Sequence, residues 1–231
     1  MIKKLNWDSA FFGYKVGRTN WSDNINVSDF IKQASNFKLI YVFSDSKIKH
    51  DGALLKNLKF MEQKVTFLKS VKQKEIDETT YGFFNINSDS KSELLELALL
   101  SGVESRFKKD NNFKQNEFEK LYFKWIENCL NDNASKKIIV KKENNHIVGF
   151  TTLENLNTNQ SKIGLIAVDA QHHRKGIAKG LINFAEHISF KHHCKSLEVT
   201  TQSHNLSAMK LYKHFGFNLI FTNYIYHYWN L

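Results

Sequence analysis

The chain has 231 residues, 42% of them hydrophobic and 13% aromatic, enough for a sizeable core in one large domain or two small ones, which excludes a disordered chain. No apolar run nears the roughly 18 residues of a membrane span, and no apolar core follows the lysines of the Met1–Trp7 stretch, so neither a span nor a secretory leader is expected. The net charge of +10 admits nucleic acid, an anionic membrane or a polyphosphate ligand, and does not choose among them because the lysines form no single block.

Hydrophobic periodicity predicts a small α/β unit over residues 1–70, with a helix from Val27 to Asn36 and a strand from Lys38 to Phe43. A short helix from Asp51 to Leu58 and a strand from Met61 to Lys69 complete it. The polar stretch from Lys72 to Thr80 places a boundary that divides the chain into 1–75 and 76–231. Helices are expected over Lys91–Gly102 and Glu117–Leu130, the second with Phe118, Leu121, Trp125 and Cys129 at helical spacing. Lys137–Lys142 and Ile147–Leu153 read as a hairpin around Glu143–His146. From Lys162 the order is strand, glycine-containing loop, long helix, strand, short helix and final strands. Cys129 and Cys194 are far apart and read as ordinary thiols of a reduced, cytoplasmic protein. Sliding the chain on itself lays Ile40-Tyr41-Val42 over Leu197-Glu198-Val199, and Leu58-Lys59-Phe60 over Phe215-Gly216-Phe217. In that register Ile48 and Leu55 of the N-terminal copy stand where the C-terminal copy has Asn205 and Tyr212.

The chemistry concentrates in Lys162–Ala178. A buried strand ends at Val168, a basic loop follows, and a helix opens near Gly176 with Ile177, Leu181, Phe184 and Ile188 on its buried face. Unpaired amides at the helix N-terminus, beside Arg174 and Lys175, form an anion site, and Gly176 and Ala178 leave room for close approach. After the strand Ser196–Thr201, Asn205 suits a helix N-cap and Gly216 a left-handed helix end. Asn205 and Tyr212 are about two helical turns apart and share a face. His172, His173, His187, His192, His193, Cys194 and His204 lie close in sequence, but adjacent side chains diverge along a helix, so no metal is expected.

His173-Arg174-Lys175-Gly176-Ile177-Ala178 resembles the acetyl-CoA loop of the GNAT N-acetyltransferase superfamily, Gln/Arg-x-x-Gly-x-Gly/Ala, with His173 departing from the usual first residue. Asn205-x-x-Ala208-x-x-x-Tyr212-x-x-x-Gly216-Phe217 is similar to that superfamily's next element. The resemblance implies an α/β (α+β) fold with a mixed, mostly antiparallel central sheet flanked by helices, and acetyl-CoA as co-substrate. It implies a cofactor site of Ile166, Ala167, Val168, His173, Arg174, Lys175, Gly176, Ile177, Ala178, Asn205 and Tyr212. Tyr212 would be the catalytic residue, meeting the departing sulfur, while a backbone amide near Ile166 to Val168 polarises the thioester carbonyl.

A narrower resemblance rests on Leu5–Gly13, Ser105-Arg106-Phe107, Tyr122–Asn128, Gly149–Asn157, Ile163-Gly164-Leu165 and Thr201-Gln202. These segments are similar to the TDP-fucosamine acetyltransferases, which N-acetylate TDP-4-amino-4,6-dideoxygalactose for bacterial surface polysaccharide. That resemblance implies a reduced, degenerate GNAT-like N-terminal half (1–75), a catalytic GNAT domain (76–231), and a nucleotide-sugar substrate at Ser105, Arg106 and Phe107. Glu154, on a strand leading to the cleft, is one candidate for the base, and proton loss through water is another. The expected enzyme is cytoplasmic, has no nucleic-acid partner, and is free to form a homodimer. A GNAT acting on a protein N-terminus or another small amine is the alternative.

Overall fold

A computed structural model describes residues 1–22, 24–49, 56–74, 76, 79–114, 116–132, 134–156 and 158–230. Its elements begin with β1 (Lys3–Lys4), α1 (Asn6–Phe12), β2 (Val16–Trp21), α2 (Val27–Ala34), β3 (Leu39–Ser44), β4 (Leu58–Ser70) and β5 (Tyr81–Phe83). Next come α3 (Lys91–Ser101), α4 (Arg106–Lys109), α5 (Glu117–Asn131), β6 (Lys137–Glu143), β7 (His146–Glu154) and β8 (Gln160–Val168). A 3-10 turn (Ala170–His172), α6 (Ile177–Lys191), β9 (Ser196–Gln202), α7 (Leu206–His214) and β10 (Asn218–Trp229) complete the chain. The short helix expected over Asp51–Leu58 falls largely outside the described residues, and Leu58 opens β4.

The strands form one ten-stranded sheet in the order β1-β2-β3-β10-β4-β9-β8-β7-β6-β5. Two neighbouring pairs, β2·β3 and β8·β9, are parallel and the rest antiparallel, as expected for a mixed, mostly antiparallel sheet. Strand alternation feeds a core on each face: in β6, Ile138 and Val140 join α3 and α5 while Ile139 joins α6. In β3, Leu39 and Tyr41 face the α3–α5 side and Ile40 and Val42 pack with Phe30 and Ala34 of α2. The β6–β7 hairpin turns on Asn144 (φ 51) and Asn145 (φ 66), both left-handed as a two-residue type I′ turn requires.

The internal echo of the sequence has a counterpart in the sheet. Outward from the central β10·β4 pair, each side runs antiparallel, parallel, antiparallel: β3, β2, β1 on one side and β9, β8, β7 on the other. The strands matched in sequence, β3 with β9 and β4 with β10, occupy equivalent places. Each half therefore gives its last strand to the other, and the hydrogen-bonded ladder runs unbroken between residues before and after position 75.

A buried carboxylate joins α6 to this central pair. Glu186 is fully buried, accepting from Lys69 Nζ at 2.8 Å and Lys72 N at 3.1 Å. Glu186→Ala would leave Lys69, 11% exposed, without this carboxylate and with only the carbonyl of Phe215, at 3.0 Å, as a recorded acceptor. An uncompensated buried charge of this kind costs about 3–5 kcal/mol, to be read as a lower urea midpoint with unchanged slope. Glu186→Gln, which keeps an acceptor, should lose less; equal losses would place the effect in packing.

Candidate functional site

The site begins where two parallel strands stop pairing. β8 and β9 are in register only over Gln160–Ile163 and Ser196–Val199. Beyond that point Gly164 to Val168 on one strand and Val199 to Gln202 on the other line a cleft of about 1110 Å³. Leu165 N donates to Thr152 Oγ1 at 2.9 Å and Asp169 N to Val148 O at 2.9 Å, so these amides turn toward β7. By the two-residue period of a strand, the amides of Ile166 and Val168 turn the other way, into the gap left by β9.

The loop leaving β8 is folded by its own polar groups. Asp169 caps Gln171 N at 3.4 Å and accepts from His172 Nδ1 at 2.6 Å, which holds its carboxyl below the usual range. His173 Nε2 lies 2.9 Å from Val168 O and must donate to it, so that N–H is turned away from an anion in the cleft. Arg174 (φ 63) and Gly176 (φ 78) are both left-handed, which turns the chain sharply into α6. The N-terminus of α6 has no side-chain cap, and Gly176, Ile177, Ala178 and Lys179 line the cleft. His173 and Arg174 line it as well, whereas Lys175 does not. Uncapped amides, Arg174 and the positive helix end give this end of the cleft the chemistry that suits an anion.

On the far wall α7 presents Asn205, Ala208, Leu211 and Tyr212. Asn205 Oδ1 accepts from Ala208 N at 3.1 Å and from Ser207 Oγ at 2.9 Å, which leaves its NH2 as the remaining donor group. The Tyr212 ring packs between Phe67 at 5.9 Å and Phe217 at 5.8 Å and is 2% exposed. Burial pushes its phenol far above the ordinary range, so the hydroxyl keeps its proton at every working pH.

The same cleft continues across the sheet toward β3 and β4. Ser105, Arg106 and Phe107 all line it, so these three meet the α6 loop in one cavity. Ser105 caps α4 through Lys108 N at 3.4 Å, and Phe107 lies under the Arg106 guanidinium at 4.4 Å, so neither side chain is wholly free for a ligand. Two side chains that sequence reasoning missed, Glu62 and Lys64, also line the cleft. Glu62 is 5% exposed, and its Oε2 accepts from Arg106 N at 3.2 Å and Gln202 Nε2 at 3.3 Å. Lys64 is brought down to about 8, first by burial and then by Lys162 and Arg106, so it is still mainly an ammonium at pH 7. Two charges spaced two apart in a strand whose alternate Val65 and Phe67 are buried were the available signal. Glu154 is not among the residues lining the cleft, and its carboxylate fills the space over Gly164, which is one of them.

Comparison with known proteins places this architecture. A model of the acetyltransferase (GNAT) family matches residues 100–217, half of the chain. The chain belongs to that family. Acetyl-CoA is the family's acetyl donor. The chain is 30% identical over 138 residues to the spore coat polysaccharide biosynthesis protein SpsD of Bacillus subtilis (strain 168). That stretch covers 59% of this chain and 46% of the relative, so under half of the relative's length is matched. A functionally unknown conserved protein from Staphylococcus epidermidis ATCC 12228 superposes with a TM-score of 0.65 at 10% identity, over 99% of this chain and 92% of that one. A GCN5-related N-acetyltransferase from Sphaerobacter thermophilus gives 0.55 at 14% identity, over 82% of this chain and 59% of that one. These two likenesses establish the fold alone.

Among the described residues, the parallel pair of the N-terminal copy does not part as β8 and β9 do. β2 and β3 stay paired from Val16·Leu39 to Trp21·Ser44, and Asn26 caps α2 through Ser28 N at 2.9 Å and Asp29 N at 3.2 Å. Ile48, the counterpart of Asn205, is held by its backbone to Tyr226 Oη at 2.9 Å, and Leu55 lies outside the described residues. Titration calorimetry with coenzyme A is therefore expected to give one site per chain, and a stoichiometry of two would contradict the closed N-terminal pair.

Proposed function

We propose that the chain transfers acetyl from acetyl-CoA to the amine of a nucleotide-linked amino-deoxy sugar, of the TDP-4-amino-4,6-dideoxyhexose type, for surface polysaccharide. One observation carries this reading: a single cleft joins the anion-binding end at α6 to a second cationic group, Arg106 with Lys64. The first suits the phosphates of coenzyme A. The second calls for an acceptor with phosphates of its own. A protein N-terminus or an unphosphorylated amine would bring no phosphate to Arg106 and Lys64. The polysaccharide role in the name of the Bacillus relative points the same way.

In this reading the coenzyme A pyrophosphate sits on the amides of Gly176 to Ala178 beside Arg174, and the thioester enters the gap between β8 and β9. An amide of Ile166 or Val168 polarises the thioester oxygen, and fixed donors of this kind cost no reorganisation during reaction. The neutral sugar amine attacks the carbonyl carbon as the new C–N bond forms. Glu62, a carboxylate anchored through one oxygen, takes the proton the nitrogen sheds. The tetrahedral intermediate collapses with cleavage of the C–S bond. Tyr212, which holds its proton too firmly to give it up, donates a hydrogen bond to the leaving thiolate.

Two measurements test this. Steady-state assays with acetyl-CoA against nucleotide-linked 4-amino sugars, free amino sugars and peptides should single out the first class. With that substrate Arg106→Ala should raise the acceptor KM at least tenfold and leave acetyl-CoA affinity alone. Activity equal on unphosphorylated amines would overturn the acceptor assignment.

Tyr212→Phe should lower kcat far more than it alters either KM, because thioester sulfur is a poor acceptor until charge develops on it. One such charged hydrogen bond is worth about 2–4 kcal/mol, roughly 30- to 1,000-fold in rate. The ring and its contacts with Phe67 and Phe217 are retained. A kcat within twofold of the parent would make Tyr212 a core aromatic only.

A further inference from the structure

Behind Arg106 lies a chain of polar side chains that the mechanism above does not use. Arg106 Nη1 is 3.0 Å from His227 Nε2, and His227 Nδ1 is 2.5 Å from Asp110 Oδ2. The same Oδ2 accepts from Trp229 Nε1 at 2.8 Å, and Asp110 Oδ1 accepts from Asn112 N at 3.1 Å. His227 is fully buried and Asp110 is 3% exposed. Neither lines the cleft, whereas Arg106 does.

The chemistry of the donors fixes the protons. A guanidinium only donates, so Nε2 of His227 must be bare, and the ring's one proton sits on Nδ1 and goes to Asp110. A second proton on Nε2 would point at a cation. Burial first, with Arg106 adding to it, takes the imidazole down to about 4, so the neutral tautomer holds at neutral pH. Burial alone would push the Asp110 carboxyl up, but the hydrogen bonds from His227, Trp229 and Asn112 bring it below the usual range. The array is an ionised carboxylate, a neutral imidazole and a guanidinium in series.

We propose that Asp110 and His227 are positioning residues for acceptor recognition, holding the Arg106 guanidinium in the one orientation that presents its remaining N–H groups to the acceptor's phosphates. This rests on the reading of Arg106 given above. The face of the guanidinium is covered by Tyr41 at 4.0 Å and Phe107 at 4.4 Å, so stacking fixes its plane. Stacking alone leaves rotation within that plane, and the bond to His227 removes it. Burying an acid and a base gains little stability, because desolvation cancels most of the attraction. The cost is reasonable where an arginine on a long, rotatable stem must meet a phosphate in a fixed geometry.

A double-mutant cycle tests the proposal, with acceptor KM as the readout. Arg106→Ala and His227→Phe should each raise acceptor KM at least tenfold, with the acetyl-CoA dissociation constant within twofold of the parent. In the Arg106→Ala background His227→Phe should add less than a further twofold, since the guanidinium it orients is gone. Multiplied effects in the double variant, or an unchanged KM in His227→Phe, would overturn the positioning role and leave the acceptor reading intact. An unchanged KM in Arg106→Ala would instead overturn that reading, and the inference with it. His227→Met takes the place of His227→Phe in the cycle should the latter not fold. Independently, imidazole nitrogen NMR between pH 6 and 8 should show His227 neutral and protonated on Nδ1; an imidazolium there would overturn the proposed series.

Discussion

β8 and β9 hydrogen-bond as parallel neighbours over four residues each and then part, and the rest of the site is built around that separation. A sheet edge in the middle of a protein is expensive, because each buried N–H without a partner forfeits its hydrogen bond. The amides of Ile166 and Val168 are therefore groups the fold leaves available to something that enters from outside. The α6 N-terminus adds further amides a few residues away, again without a side-chain cap. In the proposed reading, acetyl-CoA completes both sets, its phosphates at the helix and its thioester at the strand edge. The cofactor would then satisfy amides that β9 leaves unpaired where the two strands part.

The two halves of the chain show the same topology with opposite outcomes. In the N-terminal copy the parallel pair stays closed along its length and the helix is capped by Asn26. That copy contributes walls instead: Phe43 from β3 and Glu62 and Lys64 from β4 line the cleft, and Tyr41 braces Arg106. The N-terminal repeat thus supplies charged side chains to the cleft of its neighbour.

Much of the C-terminal half was legible in the sequence because its signals are local. A strand ending at Val168, a helix opening near Gly176, an N-cap at Asn205 and a left-handed Gly216 each depend on a few neighbouring residues, and all four are present. Asn144 and Asn145 announced their turn for the same reason. His173 shows the limit: its residue type was legible, but its hydrogen bond to Val168 O, which turns its donor away from a ligand, depends on how the loop closes. Glu62 and Lys64 were missed because β4 reads as an ordinary strand, and only its place beside β9 and β10 brings them to the cleft. Asp110 and His227 are 117 residues apart, and no periodicity connects them. The place of the Glu154 carboxylate, over Gly164, was hidden for a related reason: lying on a strand that leads to the cleft does not decide what a side chain covers.

The exchange of final strands has a consequence for the order in which the molecule can be made. β10 follows the other nine strands in the sequence, yet it lies between β3 and β4 and pairs with both. Until it is synthesised, β3 and β4 have a gap between them where a neighbour belongs, and the N-terminal half cannot close ahead of the rest as an independent domain would on the ribosome. The contacts that close the sheet span most of the chain's length, which raises the entropy cost of the nucleus and slows folding. During that interval the facing edges of β3 and β4 are open to pairing with the β10 of another copy. High expression rates should therefore favour strand-swapped assemblies over misfolding within either half.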